Sequence, residues 1–157
     1  MKKTFKLTSL TLALAIALIA LFSCSSGNVA GLGTATVVVE KYGEFNAYEV
    51  NLLTVSDHNG GALALLEELK KYGFAYEATY SEYGAYLTSI DGMTPDPTCE
   101  YISIYTSVES DFSVPTEYMP TVSTVDYNGV TLTYSGVGIS QMNIPNGAII
   151  LVRVEGF

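Results

Sequence analysis

The chain has 157 residues, of which 48% are hydrophobic and 15% charged, and its formal net charge is −9. It contains one histidine and two cysteines, which excludes a zinc site of several histidines and a framework of several disulfides. The low charge, together with 14 glycines and 12 tyrosines, favours a β-rich globular domain over a coiled coil or a disordered chain.

The N-terminus has the pattern of a signal peptide. Lys2, Lys3 and Lys6 precede an uninterrupted apolar run over residues 12–22. This run is too short for a membrane-spanning helix, which needs about 20 residues. Its length and its basic flank are typical of the hydrophobic region of a signal peptide.

The end of this segment, Leu21-Phe22-Ser23-Cys24, resembles the lipobox of bacterial lipoproteins. The resemblance implies that residues 1–23 are cleaved and that the sulfur of Cys24 receives a diacylglycerol. Acyl chains such as palmitate would then anchor the protein to the extracytoplasmic face of the cell membrane. The alternative is an ordinary signal peptide in which the cysteine occurs by chance.

Cleavage makes the protein more acidic. Loss of the three N-terminal lysines leaves four basic residues against 16 acidic ones, a net charge of −12. Such a surface repels nucleic acid, which is therefore not an expected partner. It also repels anionic headgroups, so the lipid on Cys24 has to hold the protein at the membrane.

Residues 24–33 are expected to form the lipidated cysteine and a flexible tether, followed by a single domain over residues 34–157. The domain opens with a predicted hairpin, in which the strands over 37–39 and 48–52 flank a turn at Gly43. One amphipathic helix is predicted over residues 61–72. Asp57 or Asn59 is expected to cap its start, and Gly73 fits the left-handed position after its end.

The remaining elements are predicted strands. Alternating patterns cover residues 74–80, 85–90 and 101–108, and a hairpin over 122–134 turns at Asn128-Gly129. A last, mostly apolar strand over 148–154 is expected at the centre of the sheet. One helix with several strands predicts an α+β fold, in which a curled sheet packs on the single helix.

The order of these elements carries a second resemblance. Taken together, helix residues 63–69, the segment 83–92, the tyrosine-rich strand 101–105 and the late segments 137–139 and 146–149 resemble the transcobalamin-like C-terminal domain, over roughly residues 35–155. The resemblance implies a β-grasp-like fold. In the vitamin carriers this domain closes over a corrinoid that is held largely by a separate helical domain, so cobalamin or a similar small cofactor is an expected ligand.

Tyrosines are the most suggestive side chains. Six of them fall on strands that are predicted to be neighbours, and Tyr83, Tyr86, Tyr101 and Tyr105 are the candidate ligand-binding residues. Tyrosine offers a large amphipathic contact area and is enriched at recognition surfaces. It is also a favoured strand residue, so packing alone can explain the pattern.

Other polar residues give weaker signals. Asp91, Asp96 and Glu100 surround one loop and are a weak candidate for a hard-cation site, although their spacing does not match a Ca²⁺ loop. His58 is interpreted as a helix-entry residue, or alternatively as a metal ligand with Asp57. Cys99 is solitary and lacks neighbouring bases.

No catalytic set emerges from these residues, so a non-enzymatic protein is expected. Two functions remain open. The first is a membrane-anchored extracytoplasmic module that binds a small ligand such as a corrinoid. The second is a module of the cell envelope that interacts with proteins or glycans through the tyrosines or the edge of the sheet.

Overall fold

The computed structural model describes residues 27–157, so the predicted signal peptide and Cys24 lie outside the described residues. Eight strands, one α-helix and three short 3₁₀ helices make up this part of the chain. The strands are β1 (Thr34–Lys41), β2 (Glu44–Asn51), β3 (Tyr76–Ser81), β4 (Gly84–Ile90), β5 (Glu100–Thr106), β6 (Thr124–Tyr127), β7 (Val130–Tyr134) and β8 (Ile149–Gly156), and the helix is α1 (Gly61–Lys70).

Six of the strands form one sheet in the order β2-β1-β8-β5-β7-β6, and β3 and β4 form a separate two-stranded sheet. Strand β8 is parallel to β1 and antiparallel to β5. The prediction that the last strand is central is therefore confirmed. Its apolar residues are buried on both faces, as a central strand requires.

The sheet is strongly curled. Phe45 on edge strand β2 contacts Tyr127 on the opposite edge strand β6, with ring centroids 5.3 Å apart. The predicted α+β architecture, with a curled sheet on one helix, is confirmed. The convex face of the sheet packs on α1, and the concave face encloses a second, smaller core.

Helix α1 buries the predicted stripe, Ala62, Leu65, Leu66 and Leu69, against the sheet. Gly73 has a φ of +95° and ends the helix as expected. The predicted cap is wrong, because Gly60 is the N-cap and has no side chain to offer. Asp57 instead accepts a hydrogen bond from the backbone N–H of Asn59, which shapes the loop before the helix.

The charged side of the helix also differs from the sequence pattern, which predicts Glu67 and Glu68 opposite the apolar stripe and Glu67 paired with Lys71. Glu68 is instead only 4% exposed. Lys71 pairs with this buried carboxylate at 2.5 Å. Lys70 lies 3.9 Å from Glu67.

The packed domain includes Gly27, which lies seven residues before the predicted boundary at Thr34. Val29 is buried and forms a parallel bridge with Ile144. The backbone N–H of Ala30 donates to the carbonyl of Ile144, and the N–H of Ile144 donates to Asn28. The part of the expected tether from Gly27 to Ala30 is thus fixed to the domain by backbone hydrogen bonds.

Asp111 anchors the long loop after β5. Its carboxylate is 1% exposed and accepts hydrogen bonds from the backbone and side-chain nitrogens of Asn143, at 2.6 and 2.7 Å. A buried carboxylate with these partners ties two distant loops together.

Among residues 27–157, no helix is long and apolar enough to cross a membrane.

Candidate functional site

The concave face of the six-stranded sheet is apolar at one end and charged at the other. Strand register places Val38, Leu151 and Tyr105 side by side on this face, where they pack with Leu132. Because side chains on one face recur every second residue, the next row along the strands is Glu40, Arg153 and Ser103, followed by Glu155 and Tyr101. The charged row lies at the open end of the curled sheet.

Arg153 is the centre of this row. Its guanidinium donates to Glu155 through Nε at 2.8 Å and through Nη2, and to Glu40 through Nη1 at 3.3 Å. It also donates to the hydroxyl of Tyr105 at 3.2 Å and lies 4.9 Å from the centre of that ring. One cation is therefore held by two carboxylates and one aromatic face.

Glu155 accepts hydrogen bonds from the two tyrosines of β5. The hydroxyl of Tyr105 donates to Oε1 of Glu155 at 2.8 Å, and the hydroxyl of Tyr101 donates to Oε2 at 3.2 Å. Tyr105 is fully buried, whereas the ring of Tyr101 stacks on Phe157 and remains partly exposed. We call Glu40, Tyr101, Tyr105, Arg153 and Glu155 the Arg153 cluster.

The electrostatics of the cluster follow from partial burial and close pairing. Burial, followed by the charge of Glu155, raises the pKa of Tyr101 to about 12. Burial alone would raise the pKa of Glu155, but hydrogen bonds from Tyr105 and Arg153 outweigh it and lower that pKa. Burial alone would lower the pKa of Arg153, but the bond to Glu155 reverses the shift. The carboxylate and the guanidinium therefore stay charged together.

A cleft of about 970 Å³ opens beside the cluster. Arg153, Glu155 and Tyr101 form part of its wall, and Glu100 adds a further carboxylate. Its remaining lining comes from the end of β1 and the following turn, the loop after β4, the segment before β6 and the end of β8: Glu40, Tyr42, Gly43, Gly92, Met93, Thr94, Ser123, Val154 and Gly156. Three carboxylates and one guanidinium give the cleft a negative charge.

Tyr42 stands at the rim of the cleft in an unusual conformation. It occupies the turn between β1 and β2 with a φ of +55°, followed by Gly43 at +83°. The turn at Asn128-Gly129 has nearly the same angles, with residues that favour them. A tyrosine at this position is strained, yet its side chain is 95% exposed and has no core packing to offset the cost.

The four tyrosines expected to bind ligand are divided between two places. Tyr101 and Tyr105 meet at Glu155 in the Arg153 cluster. Tyr83 and Tyr86 belong to the β3–β4 hairpin and are 79% and 56% exposed. Tyr83 is at the turn of that hairpin, where its carbonyl oxygen lies close to Gly138, whereas Tyr86 lines a small pocket with Tyr134.

The three carboxylates of the weak metal prediction have separate partners. Asp91 accepts a hydrogen bond from the Tyr48 hydroxyl, and Asp96 accepts two from Thr98. Glu100 accepts one from the backbone N–H of Asp96. Within residues 27–157, no group of three or more His, Cys, Asp or Glu side chains is arranged to hold a metal ion.

His58 and Cys99 have simple surroundings. Nδ1 of His58 lies 3.1 Å from the carbonyl oxygen of Val29, and the carbonyl of His58 accepts from the N–H of Val29. The histidine thus helps to fix the start of the domain. Cys99 is a free, exposed thiol in the loop before β5.

Sequence reasoning missed Arg153, Glu155, Glu40 and Tyr42 as site residues. One signal was available, since Arg153 is the single arginine of the chain and interrupts an otherwise apolar strand. An arginine on a central strand has to find partners on its face of the sheet. Which carboxylates those partners are depends on strand register, which the sequence does not specify.

No family model matches the chain, and no curated protein matches it. Among solved structures, the chain is similar to a protein from Ruminococcus gnavus described as a "putative metal binding protein", with 14% identity and a TM-score of 0.53. The match covers 80% of this chain and 98% of that one. At this identity the likeness concerns the fold alone, an α+β domain of similar extent.

Proposed function

We propose that this protein is a membrane-anchored, extracytoplasmic binding module that takes up a small ligand in the cleft beside Arg153. The cleft carries the proposal, because its volume of about 970 Å³ lies at the upper end of small-molecule sites. The Arg153 cluster supplies charged and hydroxyl groups that hold one another in place. Such a preorganised wall costs little conformational entropy on binding.

A binding role is preferred to catalysis because the reactive side chains of the described domain are not paired. His58 contacts a backbone carbonyl, and Cys99 lies in a loop after Asp96 and Pro97. A nucleophile needs a base within hydrogen-bond reach. The Arg153 cluster has charges that neutralise each other, which suits recognition better than proton transfer.

We propose a β-grasp-like fold of the transcobalamin-like type. Its support is the element order, in which a β1–β2 hairpin precedes α1 and the last strand lies parallel beside β1. The resemblance makes a corrinoid the first ligand to test. A cleft of this volume would cover one side of a corrinoid without enclosing it.

Equilibrium dialysis of residues 25–157 against cyanocobalamin tests this function. We expect saturable binding by the wild type, weaker binding by Tyr42→Asn at the rim of the cleft, and unchanged binding by Tyr83→Asn. Tyr83 is a matched control because it is also a strongly exposed turn tyrosine. The description of the Ruminococcus neighbour makes a divalent cation the second probe, with Glu100, whose carboxylate lines the cleft, as the side chain to replace.

Absence of binding to both probes would contradict a small-ligand function. It would favour the second candidate, a module that interacts with proteins or glycans of the cell envelope. The observation that favours this alternative is β2, an eight-residue strand at the edge of the sheet whose residues are mostly exposed. Edge strands with free backbone groups can pair with an extended segment of a partner.

A further inference from the structure

The described chain enters the domain at a defined place. The N–H of Gly27 donates to the carbonyl of Ser140 at 3.4 Å, and Val29 pairs with Ile144. A Cβ on Gly27 would lie 2.3 Å from the carbonyl oxygen of Met142, which shows how closely the segment is packed. Residues 27–34 and 135–148 therefore form one surface, which we call the entry surface.

The entry surface and the cleft lie at opposite ends of the molecule. Strand β4 shows this directly, because its first residues contact Ser140, whose Oγ accepts from the N–H of Ala85 at 3.3 Å. At its other end, the carbonyl of Asp91 accepts from Nζ of Lys41 at 3.1 Å, beside the cleft residue Gly92. The seven residues of β4 span about 23 Å at an ordinary strand rise.

The predicted lipidation site is close to the entry surface in sequence. Only Ser25 and Ser26 separate Cys24 from Gly27. Three residue steps reach at most about 11 Å when fully extended. A lipid on Cys24 would therefore hold Gly27, where the entry surface starts, within about 11 Å of the lipidated residue.

Charge does not distinguish the two ends. Residues 27–34 and 135–148 contain no Asp, Glu, Lys, Arg or His, but carboxylates lie beside them: Asp57 before the helix, Glu82 in the β3–β4 turn, Glu109, and the buried Asp111, which accepts hydrogen bonds from Asn143. The opposite end carries five carboxylates and two basic groups: Glu40, Lys41, Glu44, Asp91, Glu100, Arg153 and Glu155. Both ends are therefore net negative, and the attachment point of the lipid determines which of them faces the headgroups.

We propose that the entry surface, with the adjoining β3–β4 turn, rests against the lipid headgroups, and that the cleft opens away from the membrane. The inference rests on the membrane anchoring in the proposed function. Its partner is the bilayer surface itself. The consequence is that the cleft captures its ligand from the surrounding medium, about the length of the domain above the bilayer.

Tryptophan fluorescence tests this orientation well, because the chain has no tryptophan of its own. The full chain is expressed with its signal peptide, purified, and reconstituted into vesicles of phosphatidylcholine and phosphatidylglycerol. One variant is Tyr83→Trp, beside the entry surface, and its matched partner is Tyr42→Trp, at the rim of the cleft. Both parent side chains are strongly exposed, at 79% and 95%.

A lipid with a nitroxide on its headgroup serves as the contact quencher, and vesicles without it are the reference. We expect loss of emission from the Tyr83→Trp variant and unchanged emission from the Tyr42→Trp variant. With Cys24 acylated, as mass spectrometry of the N-terminal peptide establishes, quenching of both variants, of neither, or of Tyr42→Trp alone would overturn the orientation.

An unacylated Cys24 would overturn the anchoring and, with it, this inference. Ligand binding in the cleft is measured separately by dialysis of the unlipidated domain. Failure of the orientation and failure of the binding function are therefore distinguishable.

Discussion

Arg153 is the residue on which the wall of the cleft depends. It is 27% exposed and holds Glu155 and Glu40, which are similarly half-buried. Removal of either member of a partly buried ion pair leaves the other without a partner, which costs more than the pair contributes when intact. The neighbouring hydroxyls of Tyr101 and Tyr105 would lose their common acceptor if Glu155 changed.

We therefore expect Glu155→Gln to lower the free energy of unfolding at pH 7 by about 2 kcal/mol, the size of charge-assisted hydrogen bonds. The folded pKa of Glu155 lies below its ordinary value of 4.5. Its stabilising contribution is thus complete above about pH 4.5 and lost as the pH falls through the lowered pKa. Urea unfolding at pH 7 and pH 3 measures this difference.

The difference between the wild type and Glu155→Gln should shrink at pH 3, because the wild-type carboxyl is then increasingly protonated. Glu44→Gln is the control, since Glu44 is exposed on the edge strand β2. A difference for Glu155→Gln that stays constant between the two pH values would contradict the ion-pair account.

Tyr42, at the rim of the cleft, is expected to affect stability and ligand binding in opposite directions. Its φ of +55° is unfavourable for a bulky side chain, and asparagine is preferred at this turn position. We expect Tyr42→Asn to raise the free energy of unfolding by about 1 kcal/mol while it weakens ligand binding. Thermal unfolding measures the change in stability, and equilibrium dialysis measures the change in ligand binding. A destabilised Tyr42→Asn variant would mean that the ring of Tyr42 packs on the domain in solution.

Turns and strands are the elements that the sequence predicted best. The turn pairs at Gly43 and Asn128-Gly129 and the alternation along β5 define their positions locally. The helix cap was not predictable in the same way, because Asp57 and Asn59 could each serve and the chain uses Gly60. The Arg153 cluster was least accessible, because it joins β1, β5 and β8, and their register follows from the whole sheet.

Residues 27–30, which open the entry surface, have a composition that predicted a flexible tether instead of a packed segment. Glycine is typical of a tether, yet Gly27 is packed against backbone that leaves no room for a side chain. We expect Gly27→Ala to lower the free energy of unfolding by about 2 kcal/mol through overpacking. Gly31→Ala is the matched control, because no atom lies within 4 Å of the added Cβ. Equal effects of the two variants on the free energy of unfolding would contradict close packing at Gly27.

The loop after β5 is held by one buried carboxylate. We expect Asp111→Ala to lower the free energy of unfolding by about 3 kcal/mol, because the N–H groups of Asn143 lose their charged acceptor in a buried place. Asp126→Ala, on the exposed strand β6, removes one hydrogen bond to Thr131 and should change it by less than about 1 kcal/mol. Urea unfolding midpoints of the two variants measure this difference in stability. A small loss of stability for Asp111→Ala would mean that water replaces the carboxylate.

At the scale of the whole molecule, the two faces of the six-stranded sheet carry different cores, and its two ends carry different surfaces. The convex face and α1 form the main core, and the concave face carries a small core that ends in the Arg153 cluster. The entry surface lies at one end and the cleft at the other. Composition predicted the acidic protein, but only the fold shows that three of its carboxylates, Glu40, Glu100 and Glu155, line the cleft with Arg153.

The most direct test of ligand binding in the cleft is a map of backbone amide chemical shifts for residues 25–157 during a titration with cyanocobalamin. We expect shifts that saturate and that are confined to the lining of the cleft, with Tyr42, Gly92 and Gly156 among them. The amides of Tyr83 and Ser140, at the opposite end, should not move. Shifts centred on that opposite end, or none at millimolar ligand, would contradict the assignment of the cleft as the binding site.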